Sequence, residues 1–302
     1  MNDANPPRSL ILLAFAIVYI VWGSTFFAIK LTVAEIPIFL AGALRFSLAA
    51  LMLLGLAWWR EGARFPRSKI LGTAISGILL AGLGNGLLLL AEIRVDSGVA
   101  SLWIATVPIM IQLVNWMAFD RERPSLASAF GAFLGIVGLV ILVRERGSES
   151  HYETTDLLAL LGSSLFWSIG TLLQKRIGSA GKPLTMATIQ MAAGSLFLWA
   201  FAIWTGETAL SALTTASAKS IGALLYLAVM GSVVAFTAYA WLAVTVHPRK
   251  VSTYALVNPL IALGIGAGMG EAIGMSEVFA FLTIIAGVAL ILFFDRRDKP
   301  KK

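Results

Sequence analysis

Val21-Trp22-Gly23-Ser24-Thr25-Phe26-Phe27-Ala28-Ile29-Lys30 lies in the first apolar segment of the chain, and its Trp and Lys return at Trp167 and Lys175. The same shift of 145 positions carries Arg45, in the next apolar segment, onto Gln190. A constant offset of this kind marks one module written twice, over 1–150 and 151–302. Each copy reads as five membrane-crossing segments, an odd number, so the second copy is expected upside down relative to the first. Inverted repeats in a membrane point to a transporter built around a central cavity.

Composition sets the class. Of 302 residues, 58% are hydrophobic and 13% charged, and the mean hydropathy is +0.86. Soluble domains carry about a quarter charged residues, so an all-α polytopic membrane protein is expected. Cysteine is absent, which excludes disulfides, thiolate metal sites and thiol catalysis. The first apolar run continues through Phe26–Ile29 without a small-residue cleavage site and reads as an uncleaved span.

A helix needs about 20 apolar residues to cross the hydrocarbon core. Ten stretches qualify: Ser9–Leu31, Pro37–Trp59, Ile70–Ala91, Ser97–Phe119, Leu126–Val143, Leu157–Gln174, Pro183–Trp204, Ile221–Val246, Val251–Gly270 and Met275–Phe294. The longest polar connection, Arg144–Asp156, falls between the fifth and sixth and reads as the linker between copies.

Lys and Arg collect on the cytoplasmic side of membrane proteins. With the N-terminus inside, 17 of the 23 basic residues fall at inner ends, five at outer ends (Lys30, Arg94, Arg144, Arg146 and Lys219), and Arg45 alone lies within a span. Both termini are therefore expected in the cytoplasm. The net charge of +7 follows from this bias and gives no reason to invoke nucleic acid, because the basic residues are scattered over short loops and tails.

The repeat continues with small changes of register. An offset of 151 carries Ser101 to Ser252, Trp103 to Tyr254 and Pro108 to Pro259; an offset of 149 carries Glu122 to Glu271, Phe130 to Phe279 and Gly138 to Gly287. With Val21-Trp22-Gly23-Ser24-Thr25-Phe26, Arg45-Phe46, the Pro108 and Pro259 helices, and the segments running from Glu122 and Glu271 into Gly-rich final helices, the chain resembles the EamA family of the drug/metabolite transporter superfamily. The resemblance covers nearly the whole chain. It implies a ten-helix inner-membrane permease, a basket of two inverted five-helix repeats, whose members export amino acids, other metabolites or drugs.

Several residues are candidates for substrate contact. Arg45 sits about 12 Å below the end of its helix, where a charge costs at least about 2.5 to 3.5 kcal/mol. Its guanidinium either engages a substrate carboxylate or gates the outer side, or it is structural, capping broken-helix carbonyls or pairing with Glu271; its counterpart Gln190 is neutral. Pro108 and Pro259 each remove a backbone donor near mid-span, an interruption that lies beside the substrate in many transporters but also serves as an ordinary kink. Trp22 with Trp167, and Trp103 with Tyr254, form two repeat-related aromatic pairs suited to an apolar pocket wall or to helix packing. Ser24, Thr25, Asn85 and Asn258 are polar at similar depth. Such groups contact substrate or join helices, for about 0.6 kcal/mol each.

No Asp, Glu or His lies at the centre of a span. Proton coupling would fall to Glu122 or Glu271, which equally serve as N-terminal anchors of the last helix in each repeat. The leading function is a secondary transporter exporting small amphipathic metabolites, amino acids or related carboxylates, by alternating access. The partners are a small-molecule substrate, the lipid bilayer and either a proton or a counter-solute, with no cofactor or metal, in a monomer or homodimer. Multidrug efflux is the alternative, disfavoured by the lack of a mid-membrane carboxylate. An intramembrane enzyme lacks H-E-x-x-H and G-x-S-x-G, and its two His fall in loops. A passive channel would favour a continuous polar stripe over paired interruptions.

Overall fold

The computed structural model describes residues 7–62, 67–119, 121, 125–146, 153–177, 182–208, 210–246, 253–270 and 273–294. Glu122, Glu271, His151, His247 and Ser252 lie outside them. Every regular element among the described residues is helical. In chain order these are α1 (Arg8–Val33), α2 (Ile38–Glu61), α3 (Arg67–Ala91), α4 (Ser97–Ala118), α5 (Leu126–Arg146), α6 (Thr154–Ile177), α7 (Pro183–Thr205), the short α8 (Ser211–Thr215), α9 (218–245), α10 (Tyr254–Gly268) and α11 (Met275–Phe294). Seven helices, α1 to α4, α6, α7 and α9, are long and apolar enough to cross a membrane, and three shorter apolar helices lie within α5, α10 and α11.

The interruptions are specific. α4 breaks after Ile104 and restarts at Val107 with Pro108 in its first turn, where a missing N–H costs nothing. Pro259 instead sits inside α10. α3 and α9 each contain a π-helical stretch, Ile78–Gly84 and Leu227–Val234, which inserts a residue into the turn and re-aims the side chains beyond it.

α2 packs along α7 and α5 along α11, with α1 against α10 and α3 against α6 and α7. Glycines set the closest approach. A Cβ on Gly77 would lie 2.4 Å from the Gln190 carbonyl oxygen, and one on Gly194 would lie 2.5 Å from Ala81 Cβ, so α3 and α7 touch backbone to backbone. Away from these contacts the surface is apolar, as a lipid-facing surface must be. Trp58, Trp59 and Trp204 are 74%, 72% and 80% exposed at the C-terminal ends of α2 and α7, suited to the membrane–water interface.

α2 and α7 cap one another. The Glu61 carboxylate, at the end of α2, accepts from the backbone N–H of Leu184 and Thr185 at 2.9 Å each and from the Thr185 hydroxyl at 2.8 Å. The Glu207 carboxylate, just beyond α7, accepts from Phe39 N–H at 2.7 Å. Each acid therefore satisfies otherwise orphaned donors at the start of the neighbouring helix and complements its dipole. Glu35 does the same for α9, accepting from Ser217 N–H at 2.5 Å and its hydroxyl at 2.9 Å, and these bonds hold its carboxyl below the usual range. Glu61→Ala is expected to lower stability by about 2 to 3 kcal/mol, because three donors lose a charged acceptor. Thermal unfolding in detergent reads this, and an unchanged midpoint would refute the capping role.

Candidate functional site

A cavity opens among α1, α2, α3, α4, α6, α7, α9 and α10. Eight of the sequence candidates line it: Trp22, Thr25, Arg45, Asn85, Trp167, Gln190, Tyr254 and Asn258. Apart from Ser163 and Ser232 the remaining wall is apolar, with Phe26, Ile29, Phe46, Leu80, Leu88 and Phe236 among its members. None of the lining residues is acidic.

Arg45 is 6% exposed. Its Nε–H donates to Ser232 Oγ at 2.9 Å, and its guanidinium carbon lies 4.8 Å from the centre of the Phe46 ring. Ser232 Oγ donates in turn to the Leu227 carbonyl at 3.0 Å, five residues back in the π stretch of α9. Nη1 of Arg45 has no protein partner. Gln190, 1% exposed, is held from the other direction: its Nε2 donates to Ser76 Oγ at 3.1 Å, Ser76 Oγ donates to the Gly170 carbonyl at 3.1 Å, and Gln190 Oε1 has no partner.

The π stretches make matching contacts. Asn85 Nδ2 donates to Leu80 O at 3.1 Å, again five residues back, as Ser232 does to Leu227. Trp22 Nε1 donates to Gly231 O at 3.2 Å, while the Trp167 ring stands 3.4 Å from where a Cβ on Gly84 would be. The glycines thus let each α9 or α3 backbone meet a tryptophan of the opposite half of the chain.

Trp22, Tyr239 and Tyr254 form an aromatic cluster, with centroids 5.0, 5.2 and 6.0 Å apart and Tyr254 edge-on to both others. Tyr254 of this cluster and Trp167 of α6 line the same cavity. The Asn258 amide nitrogen faces the carbonyls of Tyr254 and Tyr19 at 3.2 Å each, the orientation its hydrogen-bond surroundings require.

Four candidates fall elsewhere. Ser24 Oγ donates to Val21 O at 2.8 Å and meets Tyr226 OH at 2.6 Å, a link between α1 and α9. Trp103 is buried in the core of α4 with its Nε1 unpartnered. Pro108 and Pro259 do not line the cavity; their neighbours Val107 and Asn258 do. Glu122 and Glu271 lie outside the described residues. Three further acids are buried at helix ends: Glu92 at the C-terminal end of α3, Glu277 in the first turn of α11, and Asp156, which takes a bidentate bond from Arg94 at 2.7 and 2.8 Å.

Sequence reading missed Ser232, Ser76, Tyr239 and the pair Gly84/Gly231. A signal existed for part of this set. An offset of 147 carries Leu80 to Leu227, Gly84 to Gly231 and Asn85 to Ser232, between the offsets of 145 and 151 found in the flanking helices. Ser76 and Tyr239 carry no such signal.

Apolar helices enclosing a cavity with a few inward polar groups are the architecture of a membrane solute carrier. The EamA-like transporter family model matches the chain over residues 9–144 and 154–293, and the chain belongs to that family. It is 30% identical over 275 residues to the inner membrane transporter YedA of Escherichia coli (strain K12), covering 90% of this chain and 87% of that protein. It is 25% identical over 307 residues to the transporter YvbV of Bacillus subtilis (strain 168), covering 100% and 96%. Protein PagO of Salmonella typhimurium is 26% identical over 281 residues, covering 92% and 91%. A protein solved by crystallography shares the fold, with a TM-score of 0.69 at 19% identity over 96% of this chain and 99% of that one.

Proposed function

We propose that this protein is a secondary transporter of the inner membrane that exports small amphipathic metabolites, amino acids or related carboxylates, with both termini in the cytoplasm. The observation that carries this reading is Arg45: a buried guanidinium lining an apolar cavity, with Nη1 unpartnered and no acid among the lining residues. A buried charge is costly unless paired; the buried Glu92 carboxylate at the end of α3 acts on Arg45 from outside the cavity wall, and within the cavity Nη1 favours an anion. A ligand carboxylate supplies one, while the aromatic cluster and aliphatic wall receive an apolar tail. The same absence of a lining acid argues against cationic drugs as the main substrates.

Alternating access by two inverted five-helix repeats, 1–150 and 151–302, fits a family match that extends over both halves. It also fits the paired π stretches, which are the places where α3 and α9 bend at least cost. The test is counterflow in proteoliposomes. Vesicles preloaded with an unlabelled amino acid or carboxylate should accumulate the labelled form transiently and saturably. Flux that rises linearly with concentration and is blind to preloading would refute carrier transport in favour of a channel.

A further inference from the structure

The two serines behind Arg45 and Gln190 decide which face of each residue meets the cavity. A serine hydroxyl has one hydrogen and two acceptor lone pairs. Ser232 directs its hydrogen to Leu227 O and Ser76 directs its own to Gly170 O, so each oxygen is left as an acceptor. For Arg45, which has only donors, this ties down Nε and leaves the Nη edge for a ligand. For Gln190 the consequence is stronger. An amide presents either nitrogen or oxygen, and a Ser76 that only accepts requires nitrogen. Nε2 therefore takes the 3.1 Å bond to Ser76, and Oε1 is turned away from it, buried and without a protein partner. Ser76 cannot retreat from this bond easily, because at the next residue, Gly77, the α3 backbone rests on the Gln190 backbone.

We infer that Ser76 is a specificity-determining positioning residue. By orienting the Gln190 amide it obliges a ligand to bring a hydrogen-bond donor for Oε1 as well as a carboxylate for Arg45. The cavity thus has two unlike polar ends, one cationic donor and one neutral acceptor, on residues that are both at least nine-tenths buried. An analogue lacking the donor leaves the acceptor buried and unsatisfied, the situation in which binding sites discriminate most sharply. The inference rests on the carboxylate reading of Arg45 proposed above.

The probes are two pairs of acids that differ only in a hydroxyl donor at the end remote from the carboxylate: L-tyrosine with L-phenylalanine, and 3-(4-hydroxyphenyl)propanoate with 3-phenylpropanoate. Binding to the purified protein is followed by calorimetry or by the fluorescence of Trp22 and Trp167, which line the cavity. In the wild type the hydroxyl-bearing member of at least one pair is expected to bind tenfold or more tightly than its partner. S76A should bring that ratio to within threefold of one, and S76T, which keeps the hydroxyl, should restore it. Equal affinity within the pairs in the wild type overturns this inference alone and needs no substitution to be seen. So does a tenfold ratio that survives in folded S76A. Wild-type protein that binds none of the four acids overturns the carboxylate reading of the cavity, and this inference with it.

Discussion

Arg45→Met is expected to abolish saturable carboxylate flux while leaving the protein folded. The two halves of this expectation come from the same fact. Arg45 is buried with one protein hydrogen bond, to Ser232, and an unpartnered Nη1. Truncating a buried, charge-assisted contact to a ligand costs about 2 to 4 kcal/mol, or about 30-fold to 1,000-fold in affinity. Methionine removes the cost of burying a charge but also removes the cation that acts on the buried Glu92 carboxylate, and the two effects oppose each other. Ser232 keeps its own donor bond to Leu227 O when Arg45 is gone, so no new unsatisfied donor appears. Arg45→Lys retains the charge but lacks the planar fork that meets Ser232 and the cavity together, and an intermediate affinity follows. Counterflow and thermal unfolding of the same preparations separate the roles. Unchanged affinity in Arg45→Met would remove Arg45 from the site, and a large loss of stability would make it a structural residue.

Gly77→Ala is expected to cost about 3 kcal/mol or more and to disable the cavity. The added Cβ would lie 2.4 Å from the Gln190 carbonyl oxygen, 2.5 Å from its Cα and 2.8 Å from its carbonyl carbon. These are backbone atoms of a packed helix and no rotamer change clears them, so α3 and α7 must separate. Separation also pulls Ser76 from Gln190 and releases the amide. Gly55→Ala in α2 is the control: nothing lies within 4 Å of its Cβ position, and alanine is the better helix former, so a neutral or slightly stabilising effect is expected. If both substitutions gave the same unfolding midpoint, the backbone contact would not set the α3–α7 crossing.

Much of the site was legible in the sequence because the repeat pointed to it. Arg45 with Gln190, and Trp22 with Trp167, were found as matched positions, and all four line one cavity. Proline gave a weaker signal. Pro108 and Pro259 mark where α4 and α10 come near the cavity, yet the lining atoms belong to the residues beside them. Trp103 paired with Tyr254 under the repeat, but only Tyr254 reaches the cavity. An aromatic side chain in an apolar helix looks the same in sequence whichever way it points.

By itself the sequence determined the class of protein, the apolar segments and their approximate limits, and the family. A bilayer acts on each segment separately through length, hydropathy and flanking charge, and these are local properties of the chain. Tertiary structure alone decided the reciprocal caps of Glu61 and Glu207, the backbone contact at Gly77, and the choice of Ser76 and Ser232 as partners of Gln190 and Arg45. Those pairings join residues 114 and 187 positions apart, and the Ser232 hydroxyl that meets Arg45 is aimed by a π-helical stretch. A serine in an apolar segment has many carbonyls within local reach, so which distant side chain it meets is settled only when the helices pack.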